Sequence, residues 1–109
     1  MPWKIIFFKT PRGEKPVEHF IDSLDEKAES KVFRSLDLLR DYGPALIMPH
    51  AKKISSQLYE LRVRGTIEIR IFYTFRGNII YLVHAFQKKS QKIPSRELET
   101  AKNRLPFFN

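Results

Sequence analysis

Apolar side chains recur every third or fourth position between residues 17 and 39 and every second position from residue 58 onward, so the chain divides into a helical part and a strand part. In the helical part Val17, Phe20, Ile21 and Leu24 share one side of a helix. Pro16 suits the first turn, where its missing N–H would have had no partner. Ser23 followed three residues later by Glu26 predicts a capping box that opens a second helix, with Ala28, Val32, Leu36 and Leu39 as its apolar stripe. Gly43-Pro44 ends it: glycine takes a left-handed conformation easily, and proline cannot continue a helix. Together the two helices predict a hairpin. Ahead of them, the aromatic and β-branched run from Trp3 to Lys9 stops at Thr10-Pro11-Arg12-Gly13, which predicts a first strand.

In the strand part Leu58–Arg64, Ile67–Arg76 and Asn78–Gln87 are joined by links short enough to force antiparallel pairing, a three-stranded meander. Ile93-Pro94 opens a short last helix with Leu98, Ala101 and Leu105 on one side, and Pro106-Phe107-Phe108-Asn109 forms a tail. The expected fold class is α+β: N-terminal strand, helical hairpin, antiparallel meander and C-terminal helix. A chain of 109 residues with 42% hydrophobic content forms one domain, residues 1–109, with an adequate core. Without cysteine there are no disulfides or thiolate nucleophiles. His19, His50 and His84 lack ligand spacing, so neither a metal nor another cofactor is expected. The apolar run Ile5–Phe8 is far shorter than the roughly 18 residues of a membrane span, which predicts a soluble, cytoplasmic, unprocessed protein.

Charge sharpens this picture. Residues 1–43 carry eight Lys/Arg against eight Asp/Glu, and residues 44–109 carry twelve against four, so the whole net charge of +8 lies in the strand part. A neutral packing half joined to a cationic half points to a polyanionic partner, RNA first. Alternation places Tyr59, Leu61 and Val63 on one face with Ile69, Ile71, Tyr73 and Phe75, and Arg62, Arg64, Arg70 and Arg76 on the other, away from the helical hairpin. Four guanidiniums on one face repel unless they share an anion, and the planar guanidinium fork matches phosphate. On the same face Phe72 and Tyr81 are candidates to stack a splayed base. Lys52 and Lys53 in the preceding loop, with Lys88, Lys89 and Lys92 past the last strand, are expected to rim a groove.

Leu58-Tyr59-Glu60-Leu61-Arg62, Arg70-Ile71-Phe72-Tyr73, His84 through Pro94, and Met48-Pro49-His50 with Lys52 and Lys53 resemble the RelE/ParE toxin superfamily, in particular its phage-derived, HigB-like branch. The resemblance spans nearly the whole chain. It implies a RelE-like fold and the toxin of a type II toxin–antitoxin pair, acting with the 70S ribosome to cleave mRNA in the A site. It further implies a helix-turn-helix antitoxin as partner. Cleavage in this family is metal-independent: the RNA 2′-OH attacks the adjacent phosphate, leaving a 2′,3′-cyclic phosphate and a 5′-OH. Arg70 matches the strand arginine that stabilises the scissile phosphate, Lys88 falls near the second catalytic basic residue, and Arg62 lies beside them on the arginine face. Lys52 and Lys53 resemble the lysines before the second strand.

RelE itself carries a tyrosine in its C-terminal segment that helps as acid or base, and this chain has neither Tyr nor His after His84. Candidates for the general base are His84, whose ordinary pKa near 6.5 suits proton transfer, a lysine of lowered pKa, or Glu60. A two-residue turn at Gly77-Asn78 sets His84 opposite Ile71, on the hairpin face, unless a bulge intervenes. Other readings compete: Glu60 and Glu68 pair with cross-strand arginines, Lys27, Lys31, Arg34 and Arg40 form a solvated helix face, and Phe107 and Phe108 pack in the core or meet the antitoxin. On the same scaffold stand two alternative functions, a ParE-like gyrase inhibitor and a non-catalytic nucleic-acid-binding module.

Overall fold

The computed structural model describes residues 3–108. Strand β1 (Lys4–Phe7) leads to helices α1 (Pro16–Asp22) and α2 (Glu26–Tyr42), then strands β2 (Ala51–Lys53), β3 (Tyr59–Val63), β4 (Glu68–Arg76) and β5 (Ile79–Lys88), and finally helix α3 (Ser95–Arg104). The strands form one mixed sheet in the order β1-β5-β4-β3-β2, with β1 parallel to β5 and the other pairs antiparallel. This α+β architecture is the expected one and is consistent with a RelE-like fold. Among the described residues no helix is long and apolar enough to cross a membrane.

The hairpin packs on one sheet face because both helices present apolar stripes to it. Val17 and Ile21 of α1 and Ala28, Val32, Leu36 and Leu39 of α2 meet Leu61, Val63, Ile69, Ile71, Tyr73, Ile80 and Leu82 in the larger core. Fully burying each branched aliphatic side chain contributes about 1.5–3 kcal/mol. Asp25, not Ser23, caps α2: its carboxylate accepts from the Ala28 N–H at 2.8 Å. Ser23 instead closes α1 with helical backbone angles and donates its hydroxyl to the Phe20 carbonyl at 2.6 Å, so the expected capping box does not form. Gly43 terminates α2 at φ +50, and a Cβ there would collide with the Trp3 indole, so this stop also fixes how the N-terminal segment lies on the helix end.

Two differences reshape the other face. Lys52 and Lys53 lie in β2, an edge strand paired with β3, rather than in a loop. A three-residue strand containing two lysines carries no readable alternation. The second difference is α3, which lies across the face expected to be open. Its Leu98 and Ala101, with Leu105, Phe108, Ile54 and Ile93, close over Leu58, Phe72, Val83 and Phe86 as a second apolar cluster.

Candidate functional site

A two-residue link at Gly77-Asn78, with Gly77 at φ +60, sets Arg76 opposite Ile79 as alternation predicts. The register then slips between Phe72 and Tyr73: Tyr73 faces Leu82 while Phe72 faces His84, leaving Val83 as the extra residue of a β-bulge. This bulge turns His84 away from the hairpin face to which an unbroken register would assign it, and brings it under α3. There His84 Nε2 lies 2.8 Å from Glu97 Oε1, and Arg104 Nη1 reaches both His84 Nδ1 at 3.3 Å and the Val83 carbonyl at 3.0 Å. An ionised carboxylate only accepts and a guanidinium only donates, so His84 is the neutral tautomer with its proton on Nε2. Burial lowers its pKa; Glu97's hydrogen bond and charge push the other way, and Arg104's charge adds to the lowering. Both ring nitrogens are thereby committed to holding α3 on the sheet.

At the other end of this face lies a network of five charges. Glu60 and Arg70 are buried, at 1% and 5% exposure, and Arg62 pairs with Arg70 across β3 and β4. Glu60 Oε1 accepts from Arg62 Nε at 2.9 Å, while Glu60 Oε2 stands 3.6 Å from Arg70 Nε. Glu68 Oε1 accepts from Arg70 Nη1 at 3.1 Å and lies 3.7 Å from Arg64 Nη1. Burial works to raise the Glu68 pKa, but the Arg70 hydrogen bond and charge, the Gly65 N–H and the Arg64 charge outweigh it, and the carboxyl is held below its ordinary range. The anion that the arginines share is thus supplied by the chain itself. Glu60, considered as a proton acceptor, sits between two guanidiniums. One pair remains incompletely satisfied: Arg70 Nε and Glu60 Oε2 make no hydrogen bond, although both are buried.

Around this network the candidate residues divide. Lys88 faces Glu68 across β4 and β5, and with Lys89, Ser90 and Gln91 it lines a hollow of about 370 Å³ beside Glu68. Lys52 pairs with Glu60 and so shares the arginine face, but Lys53 pairs with Tyr59 and lies over that ring on the hairpin face, 5.8 Å from its centroid. Lys92 is exposed and its carbonyl accepts from the Ser90 hydroxyl at 2.7 Å. Arg76 is tied at the far corner to Thr74 Oγ1, the Phe75 carbonyl and Gln57.

Phe72 is not a base platform: it is fully buried under α3, its ring 5.4 Å from Phe86. Tyr81 is covered as well, stacked on Phe108 at 4.6 Å. Phe108 therefore packs, while Phe107 is mostly exposed with its ring edge-on to Phe8. Pairwise reading of the strands misses Glu97 and Arg104, the partners of His84. The available signal is the amphipathic stripe Leu98, Ala101 and Leu105, which has to bury itself on some apolar surface.

No curated protein matches the chain significantly. The profile of a family described as phage-derived protein Gp49-like (DUF891) matches residues 19–106, a span that begins within α1 and contains every residue of the charged network and of the His84 clamp. The chain belongs to this phage-derived Gp49-like family.

Proposed function

We propose that this chain is the toxin of a type II toxin–antitoxin pair, of the HigB-like kind, and that it cleaves mRNA in the ribosomal A site by 2′-OH attack on the adjacent phosphate. The observation that carries this reading is Arg70. Its guanidinium is buried at mid-strand between two carboxylates and leaves Nε unbonded, with Arg62, Arg64, Lys88 and Lys52 on the same face. A phosphate drawn in by the outer cations meets a face whose central guanidinium Glu60 and Glu68 already hold in place, the kind of preorganised charge that stabilises charge developing on phosphoryl oxygens. Membership of a phage-derived family and the RelE-like arrangement of strands and helices agree with this assignment. In this reading Lys88, half-buried at the end of β5, meets the leaving 5′-oxygen, and Arg62, paired with Glu60, keeps that carboxylate from the incoming phosphate. The cytoplasm, the 70S ribosome and a helix-turn-helix antitoxin belong to the same reading.

A second reading has its own observation. Two of the three candidate proton acceptors are engaged, His84 by Glu97 and Arg104, and Glu60 by Arg62 and Arg70, which leaves only a lysine. This favours a scaffold that binds its target without hydrolysis, as a gyrase inhibitor would. Inducing the wild-type chain, Lys88→Ala and Arg70→Lys in a bacterial host, with growth followed and new mRNA 5′ ends mapped on translated messages, separates the two. The ribonuclease gives in-frame, translation-dependent cuts that fall by about 100-fold or more in either variant. Arrest with uncut messages and DNA damage assigns the chain to gyrase instead. Thermal melts of the purified variants distinguish loss of activity from loss of fold.

A further inference from the structure

The hairpin side of the molecule carries a second cationic surface, which meets the Arg70 network at Arg64. Lys27, Lys31 and Arg34 stand on one face of α2, and Lys31 is common to three adjoining hollows on this side. Among the described residues, none of these three cations enters an ion pair. At the helix start Asp25 is occupied in capping α2, and among the described residues Glu26, which lines one hollow with all three cations, forms no ion pair with them. Uncompensated cations in a row along a helix are held at a cost that an acidic partner would relieve.

The hollow between α2 and the β3–β4 link adds a second property. It measures about 120 Å³, and its apolar lining is aliphatic: Ala28, Val63, Ile67 and Ile69. The Lys31 side chain crosses its mouth over Gly65, where a Cβ would stand only 2.9 Å from Nζ. Among the described residues the aliphatic hollow has no aromatic lining, and His50, in one neighbouring hollow, is the sole aromatic ring on the three. Nucleic-acid bases are held on aromatic faces, whereas an aliphatic cavity with a charged rim is how a protein surface receives one anchoring side chain of a partner.

We propose that this surface docks a short acidic peptide segment of a partner protein, with one aliphatic side chain seated among Val63, Ile67 and Ile69 and its carboxylates paired to Lys27, Lys31 and Arg34. The residues that would hold the peptide lie on the hairpin side of the sheet, away from Arg70 and Lys88, and the docking does not depend on whether the Arg70 network cleaves RNA.

A random peptide library displayed on phage, selected in parallel on the full chain and on its Lys27→Glu/Arg34→Glu double variant, tests this directly. Both substituted positions are exposed, and a thermal melt verifies the variant's fold. The enriched peptides are expected to carry at least two Asp or Glu and one Leu, Ile or Met, and to lose affinity by about tenfold or more on the double variant. Titrating the best peptide into methyl-labelled chain should shift the Val63, Ile67 and Ile69 signals. Absence of enrichment, enrichment indifferent to the double substitution, consensus peptides without acids, or methyl shifts elsewhere would each overturn the proposal. A single-stranded RNA that shifts the same methyl signals and resists displacement by the peptide would reassign the face to nucleic acid.

Discussion

At Arg70 the guanidinium faces Glu60 and Glu68 but keeps its Nε without a hydrogen bond, so charge alone secures part of its position. Removing Glu60 leaves the buried Arg70 and the half-buried Arg62 without the counter-charge they share. Glu60→Gln, which preserves shape, is therefore expected to destabilise the fold by about 3 kcal/mol, read as a lowered urea midpoint. An unchanged midpoint would show that Arg62 and Arg70 are satisfied without Glu60. The face of each of these residues is legible in the sequence, because Glu60, Arg62 and Arg70 occupy polar positions in an otherwise apolar alternation. Their burial is not legible there, since alternation assigns a side chain to a face and says nothing of what covers that face. Phe72 marks the limit of such reasoning: its face is assigned correctly, yet α3 lies over it.

The helices and the three long strands follow from period alone. The short and irregular elements do not: β2 is too brief to show a pattern, and the bulge at Val83 reverses the inferred face of His84 through one extra residue. That reversal creates the attachment of α3, in which a neutral imidazole bridges a carboxylate and a guanidinium. Because burial holds the His84 pKa below its ordinary value of 6.5, the unfolded chain takes up a proton that the folded chain refuses. The stability this adds is complete above pH 6.5 and is lost as pH falls through the lowered folded value. Glu68 has the same sign but begins to weaken the fold only below 4.5. Urea midpoints measured from about pH 8 to pH 4 should accordingly fall early for the wild-type chain and later for His84→Gln. Parallel curves for the two proteins would remove His84 from the account.

For the molecule as a whole, the excess of cations in the strand half divides between two sheet faces, a division visible only once β2 is in place. Lys52 faces the arginine network and Lys53 the opposite side. Binding of single-stranded RNA by the purified chain is expected to weaken steeply with salt, and each lost phosphate contact to flatten the slope of log K against log salt by about 0.7. Lys52→Ala should produce that change and Lys53→Ala should not; equal effects from both would mean that RNA wraps around the β2 edge.

The pairing of β1 with β5 ties residues 4–7 to residues 79–82, the widest separation in sequence that any strand pair of this sheet spans. During synthesis the first strand emerges with no partner and must wait until residues 79–82 have followed before its hydrogen bonds can close. The His84 clamp waits longer still, because Glu97 and Arg104 follow β5 in the chain. A nascent chain therefore pairs β3 with β4, and with them the charged network, before it can lay α3 over Phe72, so a protein proposed to act on translating ribosomes closes the two ends of this face in a fixed order.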